Sequence, residues 1–243
     1  MAHVFNELHP PLSGGRTFSE HRRPGFAQCA PSGRMRLDAI AGWLQDVAYD
    51  DVDAAGVAQA AVWVVRRTRI RARRFPRFGE RFTLTTFCSG LGRMWAERRT
   101  DIVAEGETDP VVEAVSLWVH LTPEDWRPFP LTDAELDIYG GPIAPRRVTA
   151  RLRHAPACAG AAGSDWAFRR SECDLAGHVN NAAYWTPLEE ELLAGADPDR
   201  LDAEIEYRTP AQAGPHTWLR AGDRRWIVSA GGELHASMVI GDD

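Results

Sequence analysis

The feature that most constrains what this chain can fold into is a repeat of order more than of letters. "CAPSGRM" (29 to 35) precedes one helix-like segment and "CDLAGHV" (173 to 179) precedes another, with Cys and Gly four apart in both. Further on, "RRFPRFG" (73 to 79) and "YRTPAQAG" (207 to 214) each set an Arg, a Pro and a Gly between two strand-like runs. Internal self-similarity outranks any single motif as a guide to architecture. It predicts two copies of one α+β module, each a strand, a helix and a run of strands.

The elements follow from periodicity. "RTFSEHRR" reads as a short first strand. In "SGRMRLDAIAGWLQDVAYDD" the residues Leu37, Ile40, Ala41, Leu44, Val47 and Ala48 recur at helical spacing, and Ser32 stands where a cap belongs. Four runs rich in Val, Thr, Trp and Phe follow, at Ala61 to Phe75, Glu80 to Ser89, Arg93 to Ala104 and Val111 to Leu121. Residues 139 to 165 are dense in Gly, Ala and Pro and read as a linker. Then "WAFRRSE" is a strand, "HVNNAAYWTPLEEELL" a helix that Pro187 is expected to kink, and four short strands end at "ELHASMVI". The predicted division is 1–140, a linker 141–164, and 165–243.

Composition narrows the function classes. The 243 residues carry a formal charge of −6, and all 28 basic residues are Arg. That balance argues against a nucleic-acid partner. Four scattered cysteines form no Cys-x-x-Cys pair, so neither a zinc site nor a disulfide framework is expected. No metal or cofactor is predicted. The start "MAHVFNELHPPLSGG" is unlike a signal peptide. The longest apolar run is too short to span a membrane, so no membrane insertion and a cytoplasmic location are expected.

The two copies differ where chemistry is possible. Aligning the loops puts Asp174 on Ala30 and His178 on Arg34. Only the second copy has the acid and the imidazole. A carboxylate before a helix can act as base or nucleophile toward a carbonyl centre, and an imidazole can orient a group or exchange a proton. Free amides at the helix start can hold a developing oxyanion. Asn180 and Asn181 can fix a water or the turn itself. On spacing alone, Asp174 serves equally as a helix cap with His178 a surface turn residue.

The segment "DLAGHVNNAAY" resembles the Asp-x-x-Gly-His-x-Asn-x-x-Tyr loop of hotdog-fold thioesterases. With "RLDAIAGWLQDVAYDD", "MWAERRTDI", "EAVSLWVHL" and "EIEYRTPAQAG", the chain resembles acyl-[acyl-carrier-protein] thioesterases over residues 16 to 240. The resemblance implies an α+β tandem (double) hotdog, each half a central helix wrapped by an antiparallel β-sheet. It implies hydrolysis of acyl-ACP to fatty acid, with acyl carrier protein as partner and the chain a monomer or homodimer. It places catalysis at Asp174, His178 and Asn180 in the second hotdog, and the acyl chain mainly in the first. Two departures limit the carry-over. Ala176 replaces an Asn common two residues after the Asp, and Pro210 and Ala211 stand near the place of a Glu-Cys pair. An acyl-CoA thioesterase and a non-catalytic acyl-binding protein of the same fold are the alternatives. A hotdog dehydratase fits less well, because only three residues separate Asp174 from His178.

Three further groups have two readings each. Leu37, Ile40, Trp43 and Leu44 are core residues that the resemblance also suggests as acyl-tunnel lining, and Trp63 and Trp118 either bound that tunnel or pack. Arg67, Arg69 and Arg71, with Arg73, share one face of a strand. They suit an acidic carrier and its phosphate, or pair with Glu97 and Asp101 of a neighbouring strand. The resemblance offers Glu189, Glu190 and Glu191 a catalytic role, since a helix carboxylate is catalytic in some hotdog thioesterases, but the run reads first as a solvated acidic face.

Overall fold

The computed structural model describes residues 5–10, 15–139, 146–195 and 197–241. Ten strands form one sheet: β1 (Thr17–Arg22), β2 (Val62–Ala72), β3 (Phe82–Leu91), β4 (Trp95–Ala104), β5 (Val112–Leu121), β6 (Ala162–Phe168), β7 (Leu201–Tyr207), β8 (Gly214–Ala221), β9 (Arg224–Ser229) and β10 (Leu234–Ile240). Their spatial order is β1-β3-β4-β5-β2-β7-β10-β9-β8-β6. Read outward from the β2–β7 seam, each half runs in the same sequence, so β1 to β5 correspond to β6 to β10. The seam is antiparallel, from Arg67 opposite Glu206 to Ala72 opposite Leu201. The repeat expected from the sequence is therefore present, and its two copies share a continuous sheet.

One helix from each copy packs on the same face of that sheet. Helix α1 (Leu37–Ala54) buries Leu37, Ile40, Trp43, Leu44 and Val47. Helix α3 (Thr186–Ala194), entered through a 3₁₀ turn at Ala183–Trp185, buries Pro187, Leu188 and Glu189. Both join one apolar cluster with Ile70, Ala203 and Ile205 of the seam strands. Each fully buried aliphatic side chain of this kind stabilises by roughly 1.5–3 kcal/mol.

Two expectations about helix ends are corrected. Helix α1 begins at Leu37 with Arg36 at its N-cap, so Ser32 does not cap it. Pro187 lies in the first turn of α3, where its missing N–H is already an orphan, and it starts the helix without kinking it. A third helix, α2 (Asp133–Tyr139), was not anticipated. It has a capping box, in which Glu135 Oε2 accepts the Thr132 N–H at 2.8 Å and Thr132 Oγ1 accepts the Glu135 N–H at 3.3 Å.

The segment expected as a linker is a strap across the sheet's outer face where it is described, and β6 already begins at Ala162. Glu206 is fully buried, and its two oxygens accept the backbone N–H groups of Arg153 (2.6 Å) and His154 (2.9 Å). The Arg146 carbonyl accepts the Leu91 N–H at 2.9 Å. A Cβ on Gly90 would stand 2.6 Å from the Val148 side chain, so the strap's approach requires glycine there.

Candidate active site

The two pre-helix loops have the same backbone. In the first, Cys29 bridges Met35, Ala30 N–H donates to the Arg34 carbonyl (2.7 Å), and Gly33 N–H donates to the Ala30 carbonyl (2.8 Å). In the second, Cys173 bridges Val179, Asp174 N–H donates to the His178 carbonyl (2.9 Å), and Gly177 N–H donates to the Asp174 carbonyl (3.0 Å). Gly33 and Gly177 have φ of 86° and 76°, left-handed values that explain the shared glycine. The sequence alignment of Asp174 with Ala30 and His178 with Arg34 is thus a structural equivalence.

In the second loop Asp174 Oδ1 accepts the Ala176 N–H at 2.9 Å and holds the turn, while no hydrogen bond among the described residues engages Oδ2. Asn180 Oδ1 accepts the Ala182 N–H at 2.8 Å, a side-chain turn that fixes the approach to the helical entry. Tyr184 Oη accepts the Ala211 N–H at 2.8 Å and ties the loop to the segment after β7. Burial pushes the Tyr184 hydroxyl up to about 12, so it stays a neutral phenol.

The loop opens onto a cavity of about 930 Å³, lined by Asp174, His178, Asn180 and Asn181 of the second copy and otherwise mostly by the first. Its apolar wall comes from Val65, Trp63, Leu91, Trp118 and Leu131. Helix α1 contributes Gln45, Ala48, Tyr49 and Val52. Leu37, Ile40 and Trp43, expected as lining, lie in the core away from this cavity, and Leu44 borders only a small separate void. The physical reason is rotation about the helix: these four residues form the stripe facing the sheet. Trp43 packs against Phe82 at 6.4 Å between ring centroids.

Sequence reasoning missed Arg66. A bulge between Val65 and Arg67 breaks the β2–β5 register and turns Arg66 into the cavity lining beside Val65. Arg66 Nη1 donates to the Arg208 carbonyl at 3.0 Å, and no carboxylate among the described residues pairs with it. Burial, then the neighbouring Arg208, lower its pKa. Arg208 also lines the cavity.

The neighbouring arginines do not form a free cationic row. Arg67 is buried, 3.9 Å from Glu206. Arg69 makes a two-pronged pair with Asp202 at 2.8 and 2.6 Å and stacks 4.8 Å from the Phe5 ring. Arg71 is half exposed, 3.9 Å from Glu113, which also takes Arg73 at 3.0 Å. The partners are Glu206, Asp202 and Glu113, not Glu97 and Asp101, because β5 and β7 flank β2 while β4 lies one strand further out.

The acidic run after Pro187 is also divided. Glu190 is exposed as expected. Glu191 pairs with Arg225 and accepts the Trp218 indole N–H at 3.1 Å. Glu189 is fully buried. Its Oε2 accepts the Leu37 N–H at 3.0 Å and Arg34 Nη1 at 3.1 Å, and its Oε1 lies 3.0 Å from Arg34 Nη2. In the first copy, then, a carboxylate fills the space in front of the loop. In the second copy the position of Leu37 is taken by Asn181, whose N–H makes no hydrogen bond among the described residues. No group of three or more His, Cys, Asp or Glu among the described residues could hold a metal ion. No helix among them is long and apolar enough to cross a membrane.

Residues 23–139 match the acyl-ACP thioesterase N-terminal domain. Two uncharacterized proteins of Mycobacterium tuberculosis strains are 25% identical over 214 residues, 86% of this chain and 82% of theirs. A putative oleoyl thioesterase from Lactobacillus plantarum superposes with a TM-score of 0.77 at 20% identity, covering 94% of this chain and 96% of its own. An acyl-ACP thioesterase from Bacteroides thetaiotaomicron gives 0.74 and a 12:0-ACP thioesterase from Umbellularia californica 0.69, each at 16% identity over 92% of this chain and 96% of theirs. The N-terminal half of the chain thus matches the acyl-ACP thioesterase N-terminal domain, and both halves share the double-hotdog fold of these solved structures.

Proposed function

We propose that the protein hydrolyses the thioester of an acyl chain presented by acyl carrier protein, releasing a fatty acid and the carrier thiol. The observation behind this reading is that the one loop with an acid, Asp174–His178, opens onto a largely apolar cavity of about 930 Å³. That size is within the usual range for small-molecule sites. The acyl chain lies among Trp63, Val65, Leu91 and Trp118, and the thioester reaches the loop at the cavity's mouth.

In the mechanism, Asp174 Oδ2 takes a proton from a water, and the oxygen attacks the thioester carbon. The carbonyl oxygen becomes an oxyanion facing the Asn181 N–H, a donor worth roughly 3–4 kcal/mol in such a site. Collapse breaks the C–S bond, and the leaving thiolate takes up the proton. Direct attack by Asp174 on the carbon is the covalent variant of the same geometry. His178 lies four residues on and orients the carbonyl or relays the proton. Asn180 acts by fixing the helical entry. Arg66 and Arg208, at the end of the seam, offer guanidinium groups to the anionic arm of the carrier.

The same fold accepts acyl-CoA as a second reading, since the phosphate-bearing arm is common to both carriers. Steady-state hydrolysis of one acyl group on ACP and on CoA separates them. The proposal expects a higher kcat/KM on ACP. Equal or better rates on CoA would reassign the carrier, and no turnover of either would reduce the protein to an acyl binder.

A further inference from the structure

The filled first copy shows what belongs in the open second one. The loops superpose in their hydrogen bonds, and the equivalence continues into the helices. Residues 40 to 44 and 184 to 188 have the same burial sequence, two buried, one half-buried, two buried, and Asp46 and Glu190 are both exposed. Within residues 40 to 46 the pattern breaks at one position, Gln45 against Glu189. Glu189 is fully buried with its carboxylate on the Leu37 amide and Arg34. Gln45 is half-buried, lines the large cavity, and makes no hydrogen bond among the described residues.

Glu189 meets the loop of the other copy, and Gln45 lines the cavity onto which the other loop opens. Glu189 of the second copy reaches Arg34 and Leu37 of the first. Its counterpart Gln45 lies on the first copy's helix and shares the cavity with His178 and Asn181, the counterparts of Arg34 and Leu37. In the first copy an anionic oxygen, Glu189 Oε2, already occupies the place in front of the helix-start amide. That oxygen is a permanent image of an oxyanion bound in the second.

We infer that Gln45 is a further catalytic residue, whose side-chain N–H₂ donates to the thioester oxygen as its charge develops, beside the Asn181 N–H. This rests on the thioesterase reading above. A neutral amide suits the position for two physical reasons. It donates to an oxyanion, which a carboxylate repels. It also binds a backbone N–H less strongly than a carboxylate does, and in the structure the Asn181 N–H makes no hydrogen bond among the described residues, whereas Glu189 takes that of Leu37. One substitution at this position therefore separates an open site from a self-filled one.

The test compares wild type with Gln45→Met, which keeps the length and loses the donors, and with Gln45→Glu, which recreates the filled copy. Each protein is assayed on one acyl-ACP and titrated with dodecanoate, whose carboxylate oxygen stands in for the oxyanion. Gln45→Met should lose about 10²-fold in kcat with KM little changed. Gln45→Glu should lose at least as much and bind dodecanoate about tenfold or more weakly than wild type. Wild-type kcat in Gln45→Met overturns the inference, as does wild-type dodecanoate affinity in Gln45→Glu or no dodecanoate binding by wild type. If wild type binds dodecanoate but turns over no thioester, the thioesterase reading fails, and the dodecanoate comparison still decides whether position 45 fills the hole.

Discussion

At the scale of single residues, the acid and imidazole were legible because two copies of one loop could be compared. Asp174 and His178 stand where the other copy has Ala30 and Arg34, and the structure gives both loops the same bonds. Gln45 and Arg66 were not legible, and the free amides of the helix start were legible only as a group, from which the structure singles out that of Asn181. Their meaning depends on a contact between halves, a one-residue bulge and a missing partner, none of which leaves a spacing in the sequence. Tyr184 holds the loop to Ala211, so Tyr184→Phe leaves a buried amide unsatisfied. It should cost about 1–3 kcal/mol in denaturant unfolding. His235 is held below its usual pKa, first by burial and then by His216, whose ring is 5.1 Å away, against the raising effects of the Thr209 backbone and Glu233. A His with a depressed folded pKa binds its proton more readily unfolded. Its stabilisation is complete above the unfolded pKa of about 6.5 and lost as pH falls through that value toward the folded one. Melting temperature should drop across this window, and His235→Gln should flatten the drop.

At the scale of elements, the strands of the first half fell on the Val-, Thr-, Trp- and Phe-rich runs, β6 lies four residues earlier than "WAFRRSE" with Arg170–Glu172 in a 3₁₀ turn, and the helices began where local bonding decided. Ser32 looked like a cap, but the tight turn at Gly33 and the Cys29–Met35 bridge occupy those residues, and α1 starts four residues after Gly33. Helix α2 had a readable signal, Thr132 with Glu135 three residues on, inside a segment otherwise unremarkable in period. This helix supplies Glu135 and Tyr139 to the cavity wall. Glu135 is also 3.2 Å from His120, with both residues buried. Thr132→Ala removes one half of the capping box and should lower stability by about 1 kcal/mol in urea unfolding. The arginine face of β2 was legible as a face. Its partners were not, because β7 is more than a hundred residues away in sequence.

At the scale of the whole molecule, the repeat predicted two modules, and the β2–β7 seam makes them one sheet. The strap adds to this by giving backbone amides to Glu206 at the seam. The buried Arg34–Glu189 pair joins the loop of one copy to the helix of the other. Glu189→Ala leaves Arg34, in a buried site, with Asp197 as its one acidic partner among the described residues. It should cost about 3–5 kcal/mol, read as a loss throughout a single unfolding transition and not in one half alone. The asymmetry between copies is the functional point. One site is closed by a carboxylate from the other copy's helix, while the second keeps its amide without a hydrogen bond among the described residues and its acid facing a cavity.

The central claim is that Asp174 performs chemistry and does more than cap a turn. The most direct measurement is kcat on an acyl-ACP for wild type and Asp174→Asn, with melting temperatures matched. An Asn side chain can still accept the Ala176 N–H and keep the loop, but it cannot take a proton from water. The account predicts a loss of about 10²–10⁴-fold in kcat with little change in stability. An Asp174→Asn protein that turns over acyl-ACP at the wild-type rate would contradict it.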